Sequence, residues 1–307
     1  MTSRRQFLAA SAAAAAAGVL SRPLRLGAWQ AQQAAPIFTP IRRNVGWFTM
    51  RGGTIGWLVN PGAVVVVDSQ FPPEATVCLT GIKERSNGRT LDFLINSHHH
   101  GDHTAGNISF KGATKKVVAH AKADEHMRNP PGSPAPTTEQ LYPDTTFTET
   151  WATDAGDERI SAKFYGRAHT SGDVAITFER ANVVHMGDLL FKERHPVVDR
   201  AAGATLRGWM TVLDRAMRDH SNDTIYIAGH AKTDLPVTAN RDDITRFKDY
   251  IGAVLASVDS MIKAGKSKDE ILAARDPLKG FEAFGQFGAT GPREIRTCAQ
   301  EELTNGA

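Results

Sequence analysis

The sequence predicts an α/β fold in which helices cover sheet faces. Three observations carry that expectation. Ala63-Val64-Val65-Val66-Val67 is an uninterrupted apolar run, the pattern of a strand covered on both sides. A second apolar strand, Thr90 to Ile95, leads into a histidine-rich loop, Asn96-Ser97-His98-His99-His100-Gly101-Asp102-His103-Thr104. The end of a strand is where α/β sheets present functional groups. Apolar residues then recur at three- and four-residue spacing in two later stretches, as they do on core-facing helices.

A chain of 307 residues suits one large domain or two small ones. Hydrophobic content of 41% and charged content of 22% fit an ordinary globular protein. The first residues differ in kind. Arg4-Arg5-Gln6-Phe7-Leu8 precedes an alanine-rich run from Ala9 to Leu20. This resembles a twin-arginine export signal, which implies removal of residues 1–35, export to the periplasm or beyond, and the twin-arginine export machinery as a partner. The apolar run is short and alanine-rich for a membrane span. Residues 1–35 hold four arginines and no acidic residue, so their removal takes the formal charge from +3 to −1. The basic balance therefore belongs to the leader, and no nucleic-acid partner is expected. Residues 36–307 are read as one domain with a C-terminal helical extension. Cys78 and Cys298 are too remote in sequence to suggest pairing and lack zinc-knuckle spacing; Cys78 reads as a small buried hydrophobe on a helix.

In chain order, residues 36–67 read as antiparallel strands, with Arg51-Gly52-Gly53-Thr54 as a hairpin turn between Val45–Met50 and Ile55–Val59. Trp47 and Phe48 beside this turn either pack in the sheet, the favoured reading, or form an apolar flap over a site. The valine run closes on Asp68, and Pro72 to Arg85 reads as a helix. Strands are expected over Lys116–Ala119, Phe147–Thr150, Ile160–Tyr165, Val174–Phe178, Val183–Asp188 and Thr224–His230, and helices over Ala121–Arg128 and Leu206–His220. Residues 129–142 are a proline-rich surface loop. Ile244 to Ile262 recurs as one long core-facing helix, and Ser267-Lys268-Asp269-Glu270 has the form of a capping box. Phe281, Phe284 and Phe287 are expected to pack against the body.

The chemistry-bearing residues follow these strands. His98 and His100 are two apart on an extended segment, so their rings project to one side, and Gly101 lets the chain turn before Asp102 and His103. His169 lies in a Gly/Ser/Thr turn after a strand, Asp188 ends another strand, and His230 ends Ile225-Tyr226-Ile227-Ala228-Gly229. Histidine with carboxylate is the donor set of zinc and similar borderline metals. The loop is similar to the H-x-H-x-D-H signature of the metallo-β-lactamase superfamily, and the five contributions stand in that family's order from about residue 40 to 235.

That resemblance implies an αββα four-layer sandwich, two mixed β-sheets flanked by helices, with the ligand loops at one edge. It implies two divalent ions, zinc first, with iron or manganese left open. One is expected on His98, His100 and His169, a second on Asp102, His103 and His230, with Asp188 bridging. Asp102 and Asp188 are further expected to hold a metal-bridging hydroxide that attacks a strained or activated acyl bond of a β-lactam, lactone or thioester. Two divalent ions outweigh the two carboxylates, which favours an anionic small-molecule substrate. Asp68 is expected to support the metal loop from behind; a turn or N-cap aspartate is the other open reading. Lys192, His195 and Trp47 are carried as substrate-contact candidates, with a solvated charged loop as the competing reading of the first two. His99, His120, His126, His185, His195 and His220 are not expected to be ligands. Classical zinc β-lactamases carry Cys or Ser where this chain has Asp188, so the resemblance is nearer to glyoxalase II, lactonases and other dinuclear hydrolases. Family di-iron oxygen reductases have Glu in place of His100. Two other classes stay open: a mononuclear-iron persulfide dioxygenase-type oxidoreductase, and a metal-binding accessory protein without turnover. Oligomeric state is not legible.

Overall fold

The computed structural model describes residues 37–274, 278–285 and 291–305. The expected leader, residues 1–35, lies outside the described residues, as does Phe287.

Two mixed sheets form the centre. The first has seven strands in sequential order: β1 (Ile37–Arg42), β2 (Val45–Thr49), β3 (Ile55–Asn60), β4 (Ala63–Val67), β5 (Leu91–Ile95), β6 (Thr114–His120) and β7 (Thr145–Phe147). Pairing is antiparallel from β1 to β4 and parallel from β4 to β7. The second sheet runs β13 (Thr238–Ala239), β12 (Ile225–Ala231), β11 (Val183–Lys192), β10 (Val174–Phe178), β9 (Glu158–Phe164) and β8 (Thr150–Ala155). Only its β11–β12 pair is parallel.

The valine run explains the layering. Val65 and Val67 point into a core shared with Ile160, Ile176 and Phe178 of the second sheet. Val64 and Val66 point the other way, onto Ala75, Cys78 and Ile82 of helix α1 (Pro72–Arg85). Alternate side chains of one strand thus enter two cores, so no polar residue is tolerated on either face. The outer face of the second sheet is covered by α4 (Leu206–Asp219), α5 (Arg241–Lys263), α6 (Lys268–Ala273) and α7 (Pro292–Asn305). The result is the expected four-layer α/β arrangement. Shorter helices α2 (Gly101–Thr104) and α3 (Ala121–Arg128) follow β5 and β6.

Local signals account for the helix ends. Pro72 and Pro73 occupy the first turn of α1, where a missing N–H is harmless. Asn240 with Asp243, and Ser267 with Glu270, form reciprocal capping boxes for α5 and α6. Cys78 and Cys298 are both buried and unpaired, in different cores.

Two expectations need correction. The Phe147–Thr150 strand is two strands: β7 ends in the first sheet at Phe147, β8 begins in the second at Thr150, and residues 148–149 carry the chain across. Asp188 does not end its strand. Gly187, at φ 49°, shifts the register against β12, and β11 then runs on to Lys192. Helix α7 belongs to the expected C-terminal helical extension, although its span was not assigned: its apolar side is Ile295, Cys298 and Ala299, a sparse pattern beside its many polar residues.

Candidate metal centre

The predicted ligand residues converge on one edge of the sandwich. The β5–α2 loop brings His98 and His100 and α2 itself Asp102 and His103; the β9–β10 turn brings His169; β11 brings Asp188; β12 brings His230. His98, His100, His169 and Asp188 have ligand-type atoms within 4.8 Å of one another, as do Asp102, His103 and His230.

Asp188 lies between the two groups. Its Oδ2 is 3.8 Å from His98 Nε2 and 3.5 Å from His169 Nε2. Its Oδ1 is 3.0 Å from His103 Nε2 and 3.4 Å from His230 Nε2. Asp102 Oδ2 stands 3.1 Å from His230 Nε2 and 3.8 Å from His103 Nε2. Asp102 is the more open of the two carboxylates, with 23% of its side chain exposed against 3% for Asp188.

Each ring of the first group, and His103, is gripped on its outer nitrogen. The Ser97 hydroxyl donates to Asp68 Oδ2 at 2.7 Å, so its lone pair is left to accept from His98 Nδ1 at 3.0 Å. His100 donates from Nε2 to Asp199 Oδ2 at 2.9 Å. His169 donates from Nδ1 to the Val197 carbonyl at 2.9 Å. His103 donates from Nδ1 to Asp68 Oδ2 at 2.7 Å. Such partners set the tautomer and leave the inner nitrogen as a lone-pair donor.

The inner nitrogens then face one another. His100 Nδ1 is 2.8 Å from His169 Nε2, and His98 Nε2 is buried with no hydrogen-bond partner. Two imidazole lone pairs at that distance repel unless a proton or a cation lies between them. This donor set fits divalent metal ions.

The protonation balance differs between the groups. Burial, then the neighbouring His103, holds His98 well below the usual imidazole range; burial and His100 push His169 down to about 3. Burial also opposes the cation at His103 and His230, but there the carboxylates prevail. Asp188, Asp102 and Asp68 raise His103 well above its ordinary value, and Asp188 and Asp102 raise His230. Burial works against ionised Asp102 and Asp188 as well, and the histidine charges overcome it: Asp102 falls to about 2 and Asp188 well below the carboxylate range.

Glycines allow this crowding. A Cβ on Gly53 would lie 2.1 Å from His103 Cε1, and one on Gly229 would lie 2.1 Å from Asp188 Oδ1. The Arg51–Thr54 turn is pinned here by Gly53 N–H to the Asp102 carbonyl, 3.0 Å, and Thr54 N–H to the Gly229 carbonyl, 2.9 Å. Asp68 is fully buried at φ 64°, a left-handed conformation that aspartate tolerates. Its Oδ1 accepts the Ser97 N–H at 2.7 Å, which ties it to the start of the histidine loop.

Three sequence candidates are engaged elsewhere. Lys192 donates to the Thr238 carbonyl at 2.7 Å and pairs with Asp243 at 3.2 Å, because β11 continues past Asp188 and carries it away with the strand. His195 Nδ1 lies 2.6 Å from the Tyr250 hydroxyl. Trp47 packs against the core between the sheets. His120, His126 and His185 bond the Thr148 carbonyl, the Ser171 hydroxyl and the Thr54 carbonyl. Asp199 and the Val197 carbonyl had no signal in the sequence: they sit in an irregular stretch between β11 and α4, where no periodicity says which groups face inward.

Residues 49–263 match the sequence profile described as the Metallo-beta-lactamase superfamily. A hydroxyacylglutathione hydrolase of Methylococcus capsulatus is 33% identical over 135 residues, 42% of this chain and 44% of that protein. One of Brucella anthropi is 27% identical over 155 residues, 49% of this chain and 52% of that protein. The chain thus spans about half the length of these two relatives. The solved metallo-beta-lactamase from Pontibacter korlensis superposes with a TM-score of 0.59 over 71% of this chain and 99% of that one, at 16% identity, a likeness of fold.

Proposed function

Because this chain belongs to the metallo-β-lactamase superfamily, we propose that it is a dinuclear metal-dependent hydrolase of an activated acyl bond, with thioesters as the favoured substrate class. The carrying observation is Asp188, whose Oδ2 faces His98 and His169 while its Oδ1 faces His103 and His230. A carboxylate so placed is suited to serve two cations at once. Divalent ions, zinc first, would supply a water acidic enough to ionise near neutral pH and a Lewis acid for the carbonyl oxygen.

The chain's own residues do the rest. His98, His100 and His169 would hold one ion; Asp102, His103 and His230 the other. Asp68, Ser97, Asp199 and the Val197 carbonyl keep the ring tautomers fixed, so no reorganisation is needed during turnover. Asp102, the more exposed carboxylate, is placed to hold a proton at the solvent side of the site. With two divalent ions against two carboxylates, the centre favours anionic substrates and oxyanion-like transition states. Thioesters lead over β-lactams for two reasons: two relatives are named hydroxyacylglutathione hydrolase, and Asp188 stands where classical zinc β-lactamases carry Cys or Ser.

The same proposal takes residues 36–307 as one hydrolase domain with a helical extension, exported by way of Arg4-Arg5. The test is a metal count on purified protein with parallel assays on acyl thioesters, lactones and a chromogenic cephalosporin. Two divalent ions and thioester cleavage are expected. A single redox-active iron would move the chain to the persulfide dioxygenase type, and metal-loaded protein inert on all panels would make it an accessory protein.

A further inference from the structure

We infer that the C-terminal helix α7 helps set the ring geometry of His100 and His169, two members of the His98, His100 and His169 group, acting through the strap between β11 and α4. Its description as part of a metal site rests on the function proposed above; the positioning itself does not.

Residues 193–205 form no regular element beyond one isolated bridge, yet they supply two groups that grip this cluster. The Val197 carbonyl accepts from His169, and the Asp199 carboxylate accepts from His100. Orienting groups on an irregular segment are only as fixed as the ties that hold that segment. Some ties are local: Ser171 N–H to the Ala202 carbonyl and Thr205 N–H to the Ala168 carbonyl, both 2.9 Å.

The start of the strap is tied to Gly285, Tyr250 and Arg246, and Arg167 donates to the Gly203 carbonyl at 2.8 Å. The ties beside Asp199 and at the strap's end include two from α7. Glu301 makes an ion pair with Arg200, the residue after Asp199. Glu302, only 7% exposed, accepts the Leu206 N–H and, at 3.3 Å, the Arg207 N–H. These are first-turn donors of α4, where the strap ends. A buried carboxylate at a helix N-terminus satisfies donors that the helix itself cannot and meets its positive end. Helix α7 is itself seated by Ile295, Cys298 and Ala299 in the core beneath α4 and α5. It lies outside residues 49–263, the part shared with the family. Neither glutamate bonds any member of the histidine group, so both are positioning residues.

The test uses the full chain. Glu301→Ala/Glu302→Ala is compared with wild type by ¹⁵N NMR of the imidazole nitrogens in metal-free protein, and by stepwise zinc titration against a competing chelator. Glu302→Gln and Arg200→Met are milder variants that serve if the double variant does not fold. Glu158→Gln is the control, since its carboxylate likewise accepts buried backbone N–H groups, from Arg180 and Ala181, in another part of the fold. We expect the wild-type Nδ1–H form of His169 and Nε2–H form of His100 to become averaged in the α7 variants. Zinc affinity of the His98/His100/His169 site should fall about tenfold or more, with the Asp102/His103/His230 site unchanged. Wild-type ring signals in the variants would overturn the inference. So would equal weakening at both sites in step with lost thermal stability, as in the control. Failure of the metal reading looks different: wild type would take up no zinc, while the ring signals would still be lost in the variants.

Discussion

The carboxylate of Asp68 and the Nδ1 of His103 lie 2.7 Å apart, and neither side chain is accessible to solvent. The same carboxylate holds both the N–H and the hydroxyl of Ser97, so one buried group orients His103 directly and His98 through Ser97. Asp68→Asn keeps the shape and removes the charge. We expect metal affinity at the Asp102/His103/His230 site to fall about 10–100-fold, read by competition titration. Unchanged affinity would mean that Asp68 only closes a turn.

Gly53 and Gly229 are predicted to be intolerant for a steric reason. An alanine methyl at Gly53 enters the His103 ring and one at Gly229 enters the Asp188 carboxylate. Gly53→Ala and Gly229→Ala should each lower stability by about 1–3 kcal/mol and reduce bound metal below the wild-type count. Gly265→Ala is the comparison: a Cβ there meets nothing within 4 Å, but φ 75° makes it strained by backbone alone. It should lose stability while keeping the full metal count, as measured by thermal unfolding and elemental analysis.

Acid should empty the two halves of the centre in a definite order. His98 and His169 stay neutral well into acid, so protons compete weakly for their inner nitrogens. His103 and His230 hold their protons above the ordinary imidazole range, so a metal ion must displace them. Raising the pH through neutrality should therefore tighten the Asp102/His103/His230 site more steeply than the other. Calorimetry in buffers of different ionisation enthalpy should show the larger proton release for the Asp102/His103/His230 step.

Lys192 and His195 are expected to be dispensable for substrate binding. Lys192→Met loses the Thr238 and Asp243 contacts, and His195→Ala loses the Tyr250 contact. Each should lower stability by about 1 kcal/mol, with KM for an anionic thioester unchanged within about twofold. A tenfold rise in KM for either variant would return it to the substrate site.

Export is tested separately from chemistry. Arg4→Lys/Arg5→Lys should retain the full-length chain in the cytoplasm, whereas the parent sequence should yield a shortened protein in the periplasmic fraction, shown by intact mass.

Much of this protein was legible before any coordinates. The valine run, the helix over Ala121–Arg128 and the capping box at Ser267 depend on neighbours within one turn or one strand, so their pattern survives in the chain. The ligand-type residues were readable for the same reason: each lies in or just after a strand whose apolar run is local. What the sequence alone left undecided was every relationship that joins distant segments. That Asp188 turns one oxygen to each histidine group depends on Gly187 breaking the register of β11. That Lys192 points away from the site follows from the strand continuing past the aspartate. Asp199 and the Val197 carbonyl carry no periodic signal, because an irregular strap takes its conformation from the surfaces it is tied to. Hydrogen bonds between segments far apart in the chain are a property of packing, and only the tertiary structure could assign them.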